Sequence, residues 1–333
     1  MNGTTTAQLA EKTAKAVTGS VEKWTGFLQS AARLYKYSYP EQLLIYAQRP
    51  DATACASYEI WNQTMRRYVR RGARGIALPD GAGAVRYVFD VADTGARKSS
   101  REVKTWALDE NNREAVAHAL ETQYGSAAKL GIAGQLEEIA MQQSMDYWQW
   151  HQDELRGIVD GSFLEGYDEL NLEIAFRNTA AASVKYMLLS RCNLAREYQI
   201  EPEELAGVLE WNTSAASGAL GSAVSELSEG VLRQIERTIR QYERSQNHDE
   251  RTDVYEERRV LDSRSDSSRT VGDTEQIRTD AGMVSEGASD DRLQQPAPER
   301  KIDRAPDGNR SGGSESDGRN HAGDGEAGGR DGS

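Results

Sequence analysis

Cysteine, histidine and long apolar runs are scarce in this chain, and each scarcity removes a class of function. Cys55 and Cys192 are its only cysteines, 137 positions apart in 333 residues. No disulfide framework can be built from them, neither has a second Cys or a His nearby to make a metal site, and reduced cytoplasmic thiols are expected. The histidines are His118, His151, His248 and His321, and no two form a His-Glu-x-x-His pair. A Gly-x-x-x-x-Gly-Lys-Ser/Thr phosphate loop is missing too, which argues against a helicase motor. No apolar run approaches the roughly 18 residues that span a bilayer, and no charged-then-apolar leader opens the chain. A soluble cytoplasmic protein with no membrane partner is expected. Asp and Glu are too common and too dispersed to nominate a catalytic pair. The sequence points to a protein that is not an enzyme and holds neither cofactor nor metal.

What is present is unevenly distributed. The whole chain is acidic, with 53 Asp and Glu against 40 Lys and Arg, a formal charge of −13. Residues 33–104 reverse that balance, with 13 basic and 7 acidic side chains. Residues 105–244 carry 11 basic against 23 acidic, and residues 245–333 carry 13 against 21. A basic island in an acidic chain is a local footprint for a polyanion, which the total charge would hide. Seven of the 14 tyrosines fall in the same island.

Within it, Tyr35, Tyr37 and Tyr39 alternate, the apolar run Leu43-Leu44-Ile45-Tyr46 follows, and Trp61 leads into five arginines in nine positions, Arg66, Arg67, Arg70, Arg71 and Arg74. Arginine beside exposed rings suits single-stranded nucleic acid: the cations track phosphates, and the rings stack on bases that all present a π-face. The competing reading is a tyrosine-rich helix in a core beside a solvated basic strand. Candidate contacts are Lys36, Tyr37, Tyr39, Gln42, Trp61, Arg66, Arg67, Tyr68, Arg70, Arg71 and Arg74. Trp61, by its spacing from Tyr58 and Ile60, also fits a core anchor.

The order of these blocks carries a resemblance. An aromatic-Lys-Tyr-Ser run is followed by Glu41-Gln-Leu-Leu-Ile45, Gln48-Arg-Pro-Asp-Ala-Thr53, Trp61 and Val69-Arg-Arg-Gly-Ala-Arg-Gly-Ile76. Together they resemble the N-terminal domain of ArdC-type antirestriction proteins, which implies single-stranded DNA binding. The stretch to about Arg244 resembles the N-terminal part of large LtrC-like proteins of conjugative elements. There such a domain precedes helicase or DNA-methylase modules, which are the protein partners the resemblance implies. Two positions depart from the pattern: Arg66 stands where the family often has Gly, and Tyr68 where Trp is common. Both keep the chemistry basic and aromatic, while the first bears on the geometry of the preceding turn.

Periodicity predicts helices over 21–36, from Pro40 to Gln48, and briefly after a Ser57 cap. Short strands are expected at Tyr68-Val69, Ile76–Leu78 and Val85–Val91, with one more at Val103–Leu108 and a hairpin turn at Gly81-Ala82-Gly83. In the Val85–Val91 strand, Val85, Tyr87, Phe89 and Val91 form one face. From Asp109 the pattern is helical: a helix capped by Asp109, one over 127–159 interrupted near Gly131 and Gly134, one over 168–191 and one over 213–244. Tyr147-Trp148-Gln149-Trp150-His151 reads chiefly as packing aromatics in acidic surroundings. After Ser245 only Tyr255 is aromatic, and such a segment buries too little to offset chain entropy of roughly 1–2 kcal/mol per residue.

The expected fold is α+β, a small antiparallel sheet on N-terminal helices followed by a mainly α-helical lobe. The expected domains are a flexible start (1–20), an ArdC-like DNA-binding domain (21–108), an acidic helical domain (109–244) and a disordered Gly/Ser-rich tail or linker (245–333). Two functions remain open. One is a non-catalytic single-stranded-DNA-binding module of a mobile element. The other is a protein-interaction adaptor whose acidic lobe meets a partner, with the basic island as an internal charge match.

Overall fold

The computed structural model describes residues 2–80, 84–195, 198 and 200–269, with side chains described as far as 246. The chain begins with a helix, α1 (Gly3–Val17), where the first twenty residues were expected to be loose. Asn2 caps it by accepting from the Thr5 amide, and Ala14 and Val17 are buried. Single-residue polarity hid the pattern, because the buried side includes Thr6 and Thr13, whose hydroxyls bond back to Gly3 and Leu9 carbonyls. Then come α2 (Val21–Arg33), capped by Ser20, and α3 (Tyr39–Gln48), opened by a Ser38–Glu41 capping box with Pro40 in its first turn.

Residues 55–95 supply all the strands of the described residues. β1 (Cys55–Ser57), β3 (Ile76–Pro79) and β4 (Val85–Asp90) form an antiparallel sheet in the order β1-β4-β3. β2 (Tyr68–Val69) and β5 (Thr94–Gly95) make a separate two-stranded ladder. Ile76 and Leu78 bury against Leu34, Leu44, Ile45 and Ala52, so the sheet packs on the N-terminal helices through a small core of its own. The fold class is therefore α+β. Gly81–Gly83, where the hairpin turn was expected, lie outside the described residues, but the flanking strands pair, Pro79 opposite Val85.

The β4 face is the reverse of the sequence reading. Val88 and Asp90 point inward, while Tyr87 is exposed and Val85 and Phe89 are half-buried. A period of two fixes alternation but not which parity is inside, and here a buried carboxylate decided it. Asp90 accepts from the Thr53, Ala54 and Ala92 amides, a cage that replaces the water a buried anion loses. The expected strand at Val103–Leu108 does not form; that stretch runs extended without a ladder and buries Trp106.

The lobe contains α4 (Arg113–Tyr124), α5 (Gly131–Ile158), α6 (Glu169–Arg191) and α7 (Ser214–Arg269), with a 3-10 segment at Pro202–Glu210. Asp109 holds the Asn111 and Asn112 amides in the turn before α4, and Asn112 takes the cap position. Gly134 does not interrupt α5. α7 continues past Arg244 to Arg269, so 245–269 is helical rather than tail; residues 270–333 lie outside the described residues.

No boundary falls at residue 108. Trp24, Phe27 and Leu28 of α2 share one core with Phe176, Val184 and Leu188 of α6 and with Leu220, Val224 and Ile235 of α7. Trp24 donates its indole N–H to Ser183 at 3.0 Å. The aromatic run of α5 splits as its helical spacing demands: Trp148 packs on Phe176, Tyr147 stacks on His151 at 3.9 Å, and Trp150 faces solvent.

Candidate nucleic-acid interface

The basic residues of the sheet region meet around β2 and β5. A single π-helical turn, Ile60–Thr64, precedes them, closed by the Met65 amide on the Ile60 carbonyl. The next residue, Arg66, has φ +53°, a left-handed conformation that glycine adopts freely and arginine adopts at a cost. Its backbone is held there from both sides: Ser100 donates to the Arg66 carbonyl at 2.7 Å, and the Arg67 amide bonds the Trp61 carbonyl at 2.8 Å. The Arg101 amide bonds the Met65 carbonyl at 2.9 Å and brings a second basic segment, Arg97, Lys98 and Arg101, alongside the first.

The side chains on this ridge are Arg66, Arg70, Arg71, Arg74, Arg97, Lys98 and Arg101, all exposed, with Arg67 half-buried and bonded to Thr94 Oγ1 at 2.8 Å. No ion pair engages any of these eight among the described residues. Three of the seven acids in residues 33–104 are engaged away from the ridge. Asp90 is caged in the sheet, Asp93 pairs with Arg49 at 2.6 Å, and Glu41 pairs with Arg86 at 2.5 Å. Cations left outward while Asp90, Asp93 and Glu41 are engaged elsewhere give the ridge a local positive field.

Tyr68 is the ring at the centre of the ridge. It is 41% exposed and lies across Gly95, its strand partner, where a Cβ would come within 2.3 Å of the ring. The Arg97 guanidinium stands 5.5 Å from its centre. Tyr87, 48% exposed, rests on Gly75 beside Arg74, and Tyr58 is exposed just before the π turn.

The other rings expected at the site are elsewhere. Tyr39 is 4% exposed and packs edge-on to Phe27, in a space that Gly221 of α7 leaves open. Trp61 is 2% exposed and donates to the Phe89 carbonyl at 2.8 Å, which makes it the core anchor its spacing allowed. Tyr37 is half-buried with its hydroxyl on the Cys55 carbonyl, and burial pushes its phenol up. Gln42 is buried and ties the Tyr37 carbonyl at 2.8 Å. Lys36 is exposed but committed to Glu236, 2.6 Å away. Those five do not join the ridge. Arg66, Arg67, Tyr68, Arg70, Arg71 and Arg74 do. Arg97, Lys98, Arg101 and Tyr87 were missed, although three basic residues in five positions were visible at 97–101.

Chemically, the ridge can offer guanidinium forks, an ammonium group and open rings. In the neighbouring sheet, burial pushes the Cys55 thiol up to about 12, away from the reactive thiolate. No three of His, Cys, Asp and Glu converge as a metal site among the described residues, and no helix there is long and apolar enough to cross a membrane. In comparisons with known proteins, no family model, curated protein or solved structure matches this chain.

Proposed function

We propose that the chain is a non-catalytic single-stranded-DNA-binding module, as its resemblance to the ArdC-type domain implies, acting within a mobile-element protein. One observation carries the reading: eight cations without carboxylate partners among the described residues gather along the short β2–β5 ladder and the segment after it, where Tyr68 is exposed. Charge of that kind, left unneutralised by the fold, suits a polyanion whose counterions are released on binding. Rings that lie open beside it suit unstacked bases.

The test is the salt dependence of oligonucleotide binding by the whole chain. Single strands lose about 0.7 in log–log slope per phosphate neutralised, so three to five engaged cations give roughly −2 to −4. Binding that ignores salt would refute the proposal.

A specific feature also supports the adaptor reading. Met141 is exposed in a groove between α5, α6 and the 202–210 segment, rimmed by Glu137, Glu203, Glu204 and Glu210, with Lys185 paired to Glu137 and Glu204. The basic island does meet the lobe at one ion pair, Lys36 with Glu236 at 2.6 Å, while none of the eight ridge cations pairs with a lobe carboxylate among the described residues. In this reading the groove meets a helicase or methylase module.

A further inference from the structure

A second basic site lies on the opposite side of the linker that leaves the ridge. Residues 97–106 run from Arg97 to Trp106, whose indole donates to Tyr35 at 3.0 Å and whose ring lies 3.5 Å from the Arg191 guanidinium. Between this linker and the ends of α2 and α6 is a cleft of about 640 Å³, within the range of small-ligand sites. Among the described residues, no carboxylate lines it. Its charged residues are Arg33 and Arg191, and Thr53, Thr105, Ser190 and Asn193 surround them with hydroxyls and an amide.

The fold holds these guanidinium groups with neutral acceptors: Arg191 donates to the Trp106 carbonyl at 3.0 Å, which leaves its charge uncompensated. Arg191 is half-buried and has no ion pair among the described residues, and burial lowers its pKa. The nearest acid, Glu236, is already spent on Lys36 and Arg240. Arg33 is fixed by the Pro50 and Ala52 carbonyls at 3.0 Å, so its guanidinium is positioned without being neutralised. Ser190 Oγ is buried with no hydrogen-bond partner. Asn193 holds φ +59°, the left-handed turn that closes α6 with its amide on the Ser190 carbonyl. An unneutralised, partly desolvated guanidinium costs free energy that a bound dianion would recover.

We propose that this cleft binds a phosphomonoester of nucleotide size. Arg33 and Arg191 clamp the terminal phosphate, and Ser190 donates to it. A phosphomonoester carries up to two charges and three acceptor oxygens, which matches two guanidinium charges and a hydroxyl better than a lone carboxylate does. The phosphate arrives either on a free mononucleotide or on the 5′ end of a strand. The second source rests on the DNA-binding reading above, and the exposed Arg97, Lys98, Arg101 and Lys104 would lead such an end from ridge to cleft.

The whole chain is titrated with two labelled twelve-nucleotide oligomers that differ only in a 5′-phosphate or 5′-hydroxyl, and its melting temperature is followed with deoxyadenosine monophosphate. A roughly tenfold preference for the phosphorylated oligomer, abolished by Arg191→Gln and by Arg33→Gln, supports the strand end as source. Stabilisation by the mononucleotide, abolished by the same variants, supports the free nucleotide, and it does so even if neither oligomer binds and the ridge reading fails. Equal binding of the two oligomers, together with no shift from the mononucleotide, overturns the proposal in the unaltered protein, so folding defects in a variant cannot obscure the result. Arg70→Gln should weaken both oligomers alike and leave their ratio intact; loss of the ratio there also overturns it.

Discussion

Tyr35 donates a 2.5 Å hydrogen bond to Glu236, 201 residues further along the chain. Trp106 donates to the same tyrosine hydroxyl, and Lys36 and Arg240 close on the same carboxylate. One buried acid thus ties the corner after α2, the linker behind the ridge and the middle of α7 into a single joint. Burial pushes the Glu236 carboxyl up, but hydrogen bonds from Lys36 and Tyr35, the Lys36 charge and a further bond from Arg240 outweigh it and hold the group down at about 2.

That joint sets an acid dependence. A carboxyl lower in the folded than in the unfolded chain stabilises above its ordinary value near 4 and loses that contribution as pH falls towards about 2. Glu236→Gln should cost about 1–3 kcal/mol at neutral pH, since it removes charge-assisted bonds. Urea unfolding between pH 5 and 2 should be less pH-dependent in the variant; parallel curves would show that Glu236 is not the titrating joint.

Cutting the chain at Leu108 should yield no folded fragment. Trp24, Phe27 and Leu28 would lose the α6 and α7 side chains that cover them, and burying one large apolar side chain is worth about 1.5–3 kcal/mol. Residues 1–108 should show weak near-ultraviolet circular dichroism and no cooperative melt. A cooperative fragment would restore a domain boundary at that point.

Tyr39 and Gly221 test the shared core directly. A Cβ at Gly221 would come within 2.1 Å of the Tyr39 ring, so Gly221→Ala should overpack the contact and lower stability by about 1–3 kcal/mol. Pairing it with Tyr39→Leu should relieve the clash, giving a double variant less destabilised than the sum of the two singles. Strict additivity would mean the ring does not rest there.

Arg66 separates backbone strain from charge. Arg66→Gly suits the left-handed φ and should change stability by no more than about 1 kcal/mol, whereas Arg66→Val should cost about 1–2 kcal/mol. Both remove one cation and should flatten the salt slope of oligonucleotide binding by up to about 0.7. Equal melting temperatures for the two variants would place the residue outside the left-handed region.

Rings and cations should differ in kind. Tyr68→Leu or Tyr87→Leu removes a π-face worth about 1–3 kcal/mol, so affinity should drop roughly tenfold with the slope unchanged. Arg70→Gln with Arg71→Gln should weaken binding and flatten the slope. Trp61→Leu should lower stability by about 3 kcal/mol and leave affinity per folded molecule intact, because its ring is in the core. A slope change in the tyrosine variants would remove stacking from the interface.

Most of the elements were legible from local chemistry. The caps at Ser20 and Asp168, Pro40 in a first turn, and the glycine at the end of α4 act within a few residues of themselves. The basic island was equally plain, because charge composition needs no fold to be counted. Long-range contact was what the sequence withheld. Which parity of β4 faces inward followed from a cage around Asp90 that needs Thr53 and Ala54 beside it. Which tyrosines stay exposed and which are core depended on Gly95 under Tyr68 and Gly221 against Tyr39. The apparent domain border at 108 dissolved because α2 finds its apolar partners in α6 and α7. Side-chain chemistry along the chain determined where basic and aromatic residues concentrate; the packing of residues more than a hundred positions apart decided which of those side chains were left at the surface.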